Sequence, residues 1–220
     1  MKTTHNYKII LVDDHVLLRD ALASLIDNFD EFTITEKAAN GNELINAITG
    51  GKEADILLMD LNMPKMDGYE TAKWVVKHRP DIKIVVLTMY DTEVAMIRML
   101  QIGVHGFLKK DIHPRELKTA LLTVATGQFY YSNHYTVKIV SLLKKNENGS
   151  FCLEKISFSE QEIEFLKLCS TDMTYKEIAE TMRLSPRQIE NYRDTLFTKL
   201  EVQSRVGLAI YAVKNGIISF

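Results

Sequence analysis

Two short apolar runs near the start of the chain each end abruptly in acid. Ile9-Ile10-Leu11-Val12 runs into Asp13-Asp14, and Ile56-Leu57-Leu58-Met59 runs into Asp60. A continuous apolar run of this length, bounded by polar residues, reads as a strand buried on both faces. Further strands are expected at 33–38, 83–88 and 106–109, with the two runs themselves extending over 7–12 and 55–59. Between and after them the apolar spacing turns helical, over 16–29, 42–48, 69–78, 92–102 and 114–126. Within 92–102, Val94, Ile97, Met99 and Leu100 fall largely on one face. Strand and helix alternating at this interval predict an α/β fold, a doubly wound sheet of five parallel strands. Such a sheet binds its ligands at the carboxyl ends of its strands, where the three aspartates stand.

After Gly127 the pattern changes. Phe129-Tyr130-Tyr131 precedes a helical patch over 137–143, and 144–150 is polar with Asn and Gly, which suits a linker. From Ser157 the chain reads as all helical, over 160–170, 175–182, 186–200 and 204–214. Three starts are marked. Ser159 with Glu162 and Thr174 with Glu177 have the spacing of capping boxes, and Ser185-Pro186 is followed by Gln188 at the third helical position. Only Arg183-Leu184-Ser185 separates the second helix from the third, which suits a helix-turn-helix. A generic helical bundle uses the same caps, and spacing alone leaves both open. The expected organisation is a first domain over 1–130, a linker with a helix over 131–156 and a small four-helix domain over 157–220.

Composition narrows the classes. The 220 residues are 46% hydrophobic and 25% charged with a net charge of −2, ordinary for a soluble protein. Residues 1–130 hold 15 Lys/Arg against 18 Asp/Glu, and residues 131–220 hold 12 against 11. This asymmetry is too weak to mark either half as a nucleic-acid binder. Cys152 and Cys169 lie in no metal-binding spacing and suit reduced thiols. The N-terminus lacks an apolar signal core and no apolar run is long enough to span a bilayer, so a cytoplasmic protein is expected.

Three carboxylates meeting at one sheet edge repel each other, unless a hard divalent cation such as Mg²⁺ sits among them or one is covalently modified. The fourth strand ends in Leu87-Thr88 and the fifth in Lys109-Lys110, adding a hydroxyl and an ammonium. The loop Leu61-Asn62-Met63-Pro64-Lys65-Met66-Asp67-Gly68 after Asp60 carries turn residues that define its path. A carboxylate nucleophile, metal-binding acids, a hydroxyl and a lysine are the parts needed for phosphoryl transfer.

The residues Val12-Asp13-Asp14, the segment from Met59 to Gly68, Leu87-Thr88 and Gly106-Phe107-Leu108-Lys109-Lys110-Asp111 resemble the receiver domain of two-component response regulators. The resemblance implies that a sensor histidine kinase phosphorylates Asp60. It implies that Asp13, Asp14, Asp60 and the backbone carbonyl of Asn62 bind Mg²⁺, that Lys110 is the active-site lysine and that Phe107 is the aromatic switch answering Thr88. Asn62 and Tyr90, two residues beyond Asp60 and Thr88, flank the path of attacking water and set the dephosphorylation rate.

The C-terminal segment resembles the LuxR-type helix-turn-helix. Phe158-Ser159-Glu160-Gln161-Glu162, Lys176-Glu177-Ile178-Ala179, Leu184-Ser185, Gln188 to Arg193, Lys199-Leu200 and Ser204-Arg205 carry the likeness. Together the two place the chain with the NarL/FixJ type, which implies a promoter-binding transcription factor that forms a homodimer on activation. Arg187, Arg193, Lys199 and Arg205 are the candidate phosphate contacts, and Gln188 and Asn191 have amides able to read base edges. The chain departs from the family at Glu190 and near Asp194, where basic residues are usual, and at Tyr192, where histidine is common. Two other readings remain: a Mg²⁺-dependent phosphohydrolase using Asp60, for which Asn62 stands where a second acid is needed, and an output domain that binds protein.

Overall fold

The computed structural model describes residues 6–89, 92–132 and 158–218. The helical patch and linker expected over 137–150, together with Cys152 and Tyr90, lie outside the described residues. Two compact units form, each around its own core.

Up to Tyr131 the chain alternates β1 (Tyr7–Val12), α1 (Val16–Asp27), β2 (Phe32–Ala38), α2 (Gly41–Thr49), β3 (Ile56–Met59), α3 (Gly68–His78), β4 (Lys83–Thr88), α4 (Glu93–Ile102), β5 (Gly106–Lys109), α5 (Pro114–Ala125) and β6 (Tyr130–Tyr131). All strand pairs are parallel, in the order β2-β1-β3-β4-β5-β6. The doubly wound fold is as expected, but the sheet has a sixth strand. Tyr130 and Tyr131 pair with Gly106 and Phe107, a two-residue ladder that depends on β5 and not on any apolar period of its own.

Both apolar runs are buried throughout. Ile9, Leu11, Ile56 and Leu58 join Val85, Leu87, Leu108, Leu117, Leu121 and Val124 in one core. The alternate residues Ile10, Leu57 and Val86 are also fully buried, so helices cover both faces. Each such side chain contributes about 1.5–3 kcal/mol as an upper estimate. Edge strand β2 is only partly buried, and its register with β1 slips between Ile9 and Ile10. α1 ends at Asp27, two residues earlier than the apolar pattern suggests, because Phe29 donates to the Ile26 carbonyl and turns the chain.

The second unit holds α6 (Glu160–Cys169), α7 (Tyr175–Met182), α8 (Pro186–Leu200) and α9 (Arg205–Lys214). All three capping boxes form: Ser159 with Glu162, Thr174 with Glu177 and Ser185 with Gln188. Each satisfies donors at a helix start that water alone would otherwise serve. Arg183 ends α7 in the left-handed region at φ 55°, which turns the chain sharply toward Ser185 and α8. Phe165, Leu166, Ile178, Ile189, Leu196, Leu208 and Ala212 fill the core.

Candidate functional site

The parallel sheet brings its acids, hydroxyl and lysine to one edge. The ladder continues one residue beyond each strand: Asp13 N–H donates to Ala38, Asp60 N–H to Val12 and Lys110 N–H to Thr88. These bonds fix the backbone on which each functional side chain stands. The Lys110 side chain is 2% exposed, and its Nζ lies 2.8 Å from Asp13 Oδ2 and 2.7 Å from Asp60 Oδ2. Asp13 and Asp60 are themselves 2% and 5% exposed. The ammonium therefore bridges two buried carboxylates. The other Asp60 oxygen accepts the Leu61 N–H at 2.7 Å. Thr88 is fully buried at the end of β4, and Phe107 is fully buried on β5 in register with Val86.

The loop after Asp60 is held from both ends. Gly68 N–H donates to the Leu61 carbonyl and Gly41 N–H to that of Met66. Gly68 is a steric requirement, since a Cβ there would stand 2.5 Å from the Asp60 carbonyl oxygen and 2.7 Å from Leu61 Cα. The same close approach starts α3, whose Asp67 cap accepts the Glu70 N–H at 2.8 Å.

Electrostatics at this edge are unequal. Burial, the largest influence, pushes the Asp60 carboxyl above the usual range; Lys110 opposes this, and the Asp13 charge adds to it. Burial also works against the Lys110 ammonium, but Asp60 and Asp13 together outweigh it and hold the lysine above its ordinary value. The two directions agree physically. One lysine has two carboxylate neighbours, whereas Asp60 shares that lysine and faces a like charge.

Asp14 is partly exposed, yet its Oδ1 is buried with no hydrogen bond. His15 Nδ1 comes within 2.9 Å of that oxygen without hydrogen-bonding geometry, and within 3.1 Å of Asp13 Oδ1. Donor atoms of Asp13, Asp14, His15 and Asp60 all lie within 4.8 Å of one another. An orphaned acceptor beside an excess of carboxylate oxygen fits a hard divalent cation. His15 was not among the residues singled out from sequence; the signal available was a nitrogen donor directly after the acid pair.

On the second unit, Arg187, Gln188, Glu190, Asn191 and Asp194 are exposed along α8. Gln188 spends its amide oxygen on the Ser185 N–H and hydroxyl, leaving the amide nitrogen as its donor. Arg193 pairs with Asp194 at 2.8 Å. The other two basic candidates are directed inward. Lys199 pairs with Glu162 at 3.0 Å with both side chains largely buried, and Arg205 donates to the carbonyls of Cys169 and Thr171 at 2.9 and 2.7 Å. Charge along the chain did not reveal these directions. Among the described residues no helix is long and apolar enough to cross a membrane.

Comparison with known proteins agrees over both units. Residues 9–122 match the response regulator receiver domain, and residues 156–212 match the bacterial regulatory proteins of the luxR family. The transcriptional regulatory protein LnrK of Bacillus subtilis is 30% identical, over 97% of this chain and 99% of its own. The oxygen regulatory protein NreC of Staphylococcus carnosus is also 30% identical, over 97% of this chain and 100% of its own. A solved structure of RcsB from Salmonella enterica serovar Typhimurium, bound to a promoter, shares the fold at a TM-score of 0.68 and 24% identity, covering 95% of this chain and 99% of that one. A sheet edge of this composition, followed by a capped helix-turn-helix and matched on both units, identifies the chain as a response regulator that joins a receiver domain to a LuxR-type DNA-binding domain.

Proposed function

We propose that phosphorylation of Asp60 by a sensor histidine kinase controls homodimerisation and promoter binding by this cytoplasmic regulator. The observation that carries this reading is the Lys110 ammonium suspended between Asp13 and Asp60. The receiver spans 1–130, a linker with a helix 131–156 and the DNA-binding domain 157–220.

An Asp60 carboxylate oxygen attacks the phosphorus of a phosphohistidine on the kinase. The phosphorus–oxygen bond forms as the phosphorus–nitrogen bond breaks, and the electron pair returns to the kinase imidazole. Asp13, Asp14, Asp60 and the Asn62 backbone carbonyl would hold Mg²⁺, which when bound supplies positive charge against the phosphoryl oxygens. Lys110 shifts from the Asp60 carboxylate to a phosphoryl oxygen, and the Thr88 hydroxyl donates to another. The new group brings about −1.5 to −2 charge into the edge, enough to draw both side chains toward it. Movement of Thr88 is answered by Phe107 on the neighbouring strand. Asn62 and Tyr90, two residues beyond Asp60 and Thr88 in sequence, are the proposed determinants of how long the phosphoryl group survives.

On DNA, Arg187 and Arg193 meet phosphates while Gln188 and Asn191 face base edges. Lys199 and Arg205 hold α8 and α9 to α6 and its C-terminal turn, and so support the interface from within. Incubation with acetyl phosphate is expected to label the full chain once, and Asp60→Asn is expected to abolish the label. Genome-wide DNA capture with and without acetyl phosphate is expected to enrich discrete promoters in the phosphorylated state. Label retained in Asp60→Asn, or no enrichment in either state, would overturn the proposal.

A further inference from the structure

The cation reading leaves one neighbouring group without a role. His15 stands at the start of α1, yet its side chain makes no cap hydrogen bond to that helix. The imidazole lies against the acids instead, with Nδ1 2.9 Å from Asp14 Oδ1 and 3.1 Å from Asp13 Oδ1. Ligand atoms at right angles around one cation, each about 2.0–2.2 Å from it, are about 3 Å apart. The His15 nitrogen and the two carboxylate oxygens therefore have the spacing of adjacent positions in one coordination sphere. A hydrogen bond explains only part of this. Asp13 Oδ1 is hydrogen-bonded both to His15 Nδ1 at 3.1 Å and to the His15 backbone N–H at 2.9 Å, whereas Asp14 Oδ1 is buried without a hydrogen bond.

We infer that His15 supplies an imidazole nitrogen to the cation site, so that the site holds Co²⁺ more tightly than its carboxylates alone would. This rests on the reading of Asp13, Asp14 and Asp60 as a cation site. The chemical basis is the donor set. Carboxylate oxygen alone suits Mg²⁺ and Mn²⁺, whereas an added imidazole favours the later divalent ions. Mg²⁺ dehydrates reluctantly and keeps several waters, so it gains little from the nitrogen.

The experiment uses the full chain loaded with Mn²⁺ and reads nitrogen modulation in the electron spin-echo spectrum, a signal independent of phosphorylation. Directly coordinated nitrogen is expected in the wild type and absent in His15→Ala, with Mn²⁺ bound in both. The His15 side chain is 65% exposed, so His15→Ala is expected to fold, and its melting curve checks this. Calorimetric titration is expected to show Co²⁺ affinity falling at least about tenfold in His15→Ala, with Mg²⁺ affinity nearly unchanged. Bound Mn²⁺ without nitrogen coupling in the wild type overturns the role of His15 and leaves the cation site standing. Failure of the wild type to bind any of the three ions overturns both.

Discussion

Replacing Lys110 by methionine removes the one ammonium that lies between Asp13 and Asp60 while keeping most of the side-chain volume. At an effective dielectric of about 20 and the observed 2.7–2.8 Å, each of the two ion pairs is worth roughly 6 kcal/mol. Freeing the ammonium from burial returns several kcal/mol of that. The remainder, about 3–5 kcal/mol at neutral pH, is the usual cost of stranding a buried charge. For a receiver of this size that lowers Tm by roughly 12–20 °C. The loss has a definite pH dependence. Without Lys110 the Asp60 carboxyl, already raised by burial, is raised further. A carboxyl raised in the folded state favours folding only where it is protonated, and that contribution is lost as pH rises through its folded value. The deficit of Lys110→Met is therefore greatest at pH 8 and shrinks toward pH 4.5. Thermal denaturation across this range, with and without Mg²⁺, measures it, and Mg²⁺ should recover part of the loss at pH 8. A deficit of equal size at every pH, untouched by Mg²⁺, would refute the electrostatic reasoning and assign the loss to packing.

Asp60→Asn removes an acid whose environment disfavours its charge, so it should raise the receiver's Tm at pH 7.5. The sign follows from the raised carboxyl: wild-type Asp60 loses stability as pH rises through its folded value, the amide does not, and the gain should vanish below the unfolded carboxylate range of about 4. Gly68→Ala places a methyl 2.5 Å from the Asp60 carbonyl and should cost at least about 1–3 kcal/mol, with slower labelling by acetyl phosphate because the clash falls on the backbone of the acceptor. Arg187→Ala and Arg205→Ala should separate DNA contact from support. The first should leave stability within about 0.5 kcal/mol of wild type and reduce the salt dependence of DNA binding by about one unit of slope. The second, by stranding two carbonyls, should lower the stability of the C-terminal domain by about 1–3 kcal/mol.

What could be read in advance depended on whether the determining force was local. The strands ending at Asp13 and Asp60 were legible because burial on both faces leaves an uninterrupted apolar run, and the chain after such a run must emerge at the sheet edge. The three capping boxes were legible because each is closed within four residues. β6 was not, since its two residues acquire strand character only from β5 beside them. The inward turn of Lys199 and Arg205 was hidden for the same reason. Sequence supplies the charge, but Glu162 and the Cys169 and Thr171 carbonyls that capture it lie more than thirty positions away.

This limit bears on the recognition helix. With Lys199 and Arg205 held inside the domain, the exposed face of α8 keeps Arg187 as its unpaired cation beside Glu190, while Arg193 and Asp194 offset each other. A face so near neutrality attracts phosphate weakly, so under the proposed function affinity comes in larger part from base contacts, for which Gln188 and Asn191 are the proposed residues, or from a second subunit. Either source makes stable binding depend on two correctly spaced half-sites more than on general attraction to DNA. Weak attraction by a single domain is what a phosphorylation switch needs, because a domain that bound any duplex tightly would leave dimerisation nothing to control.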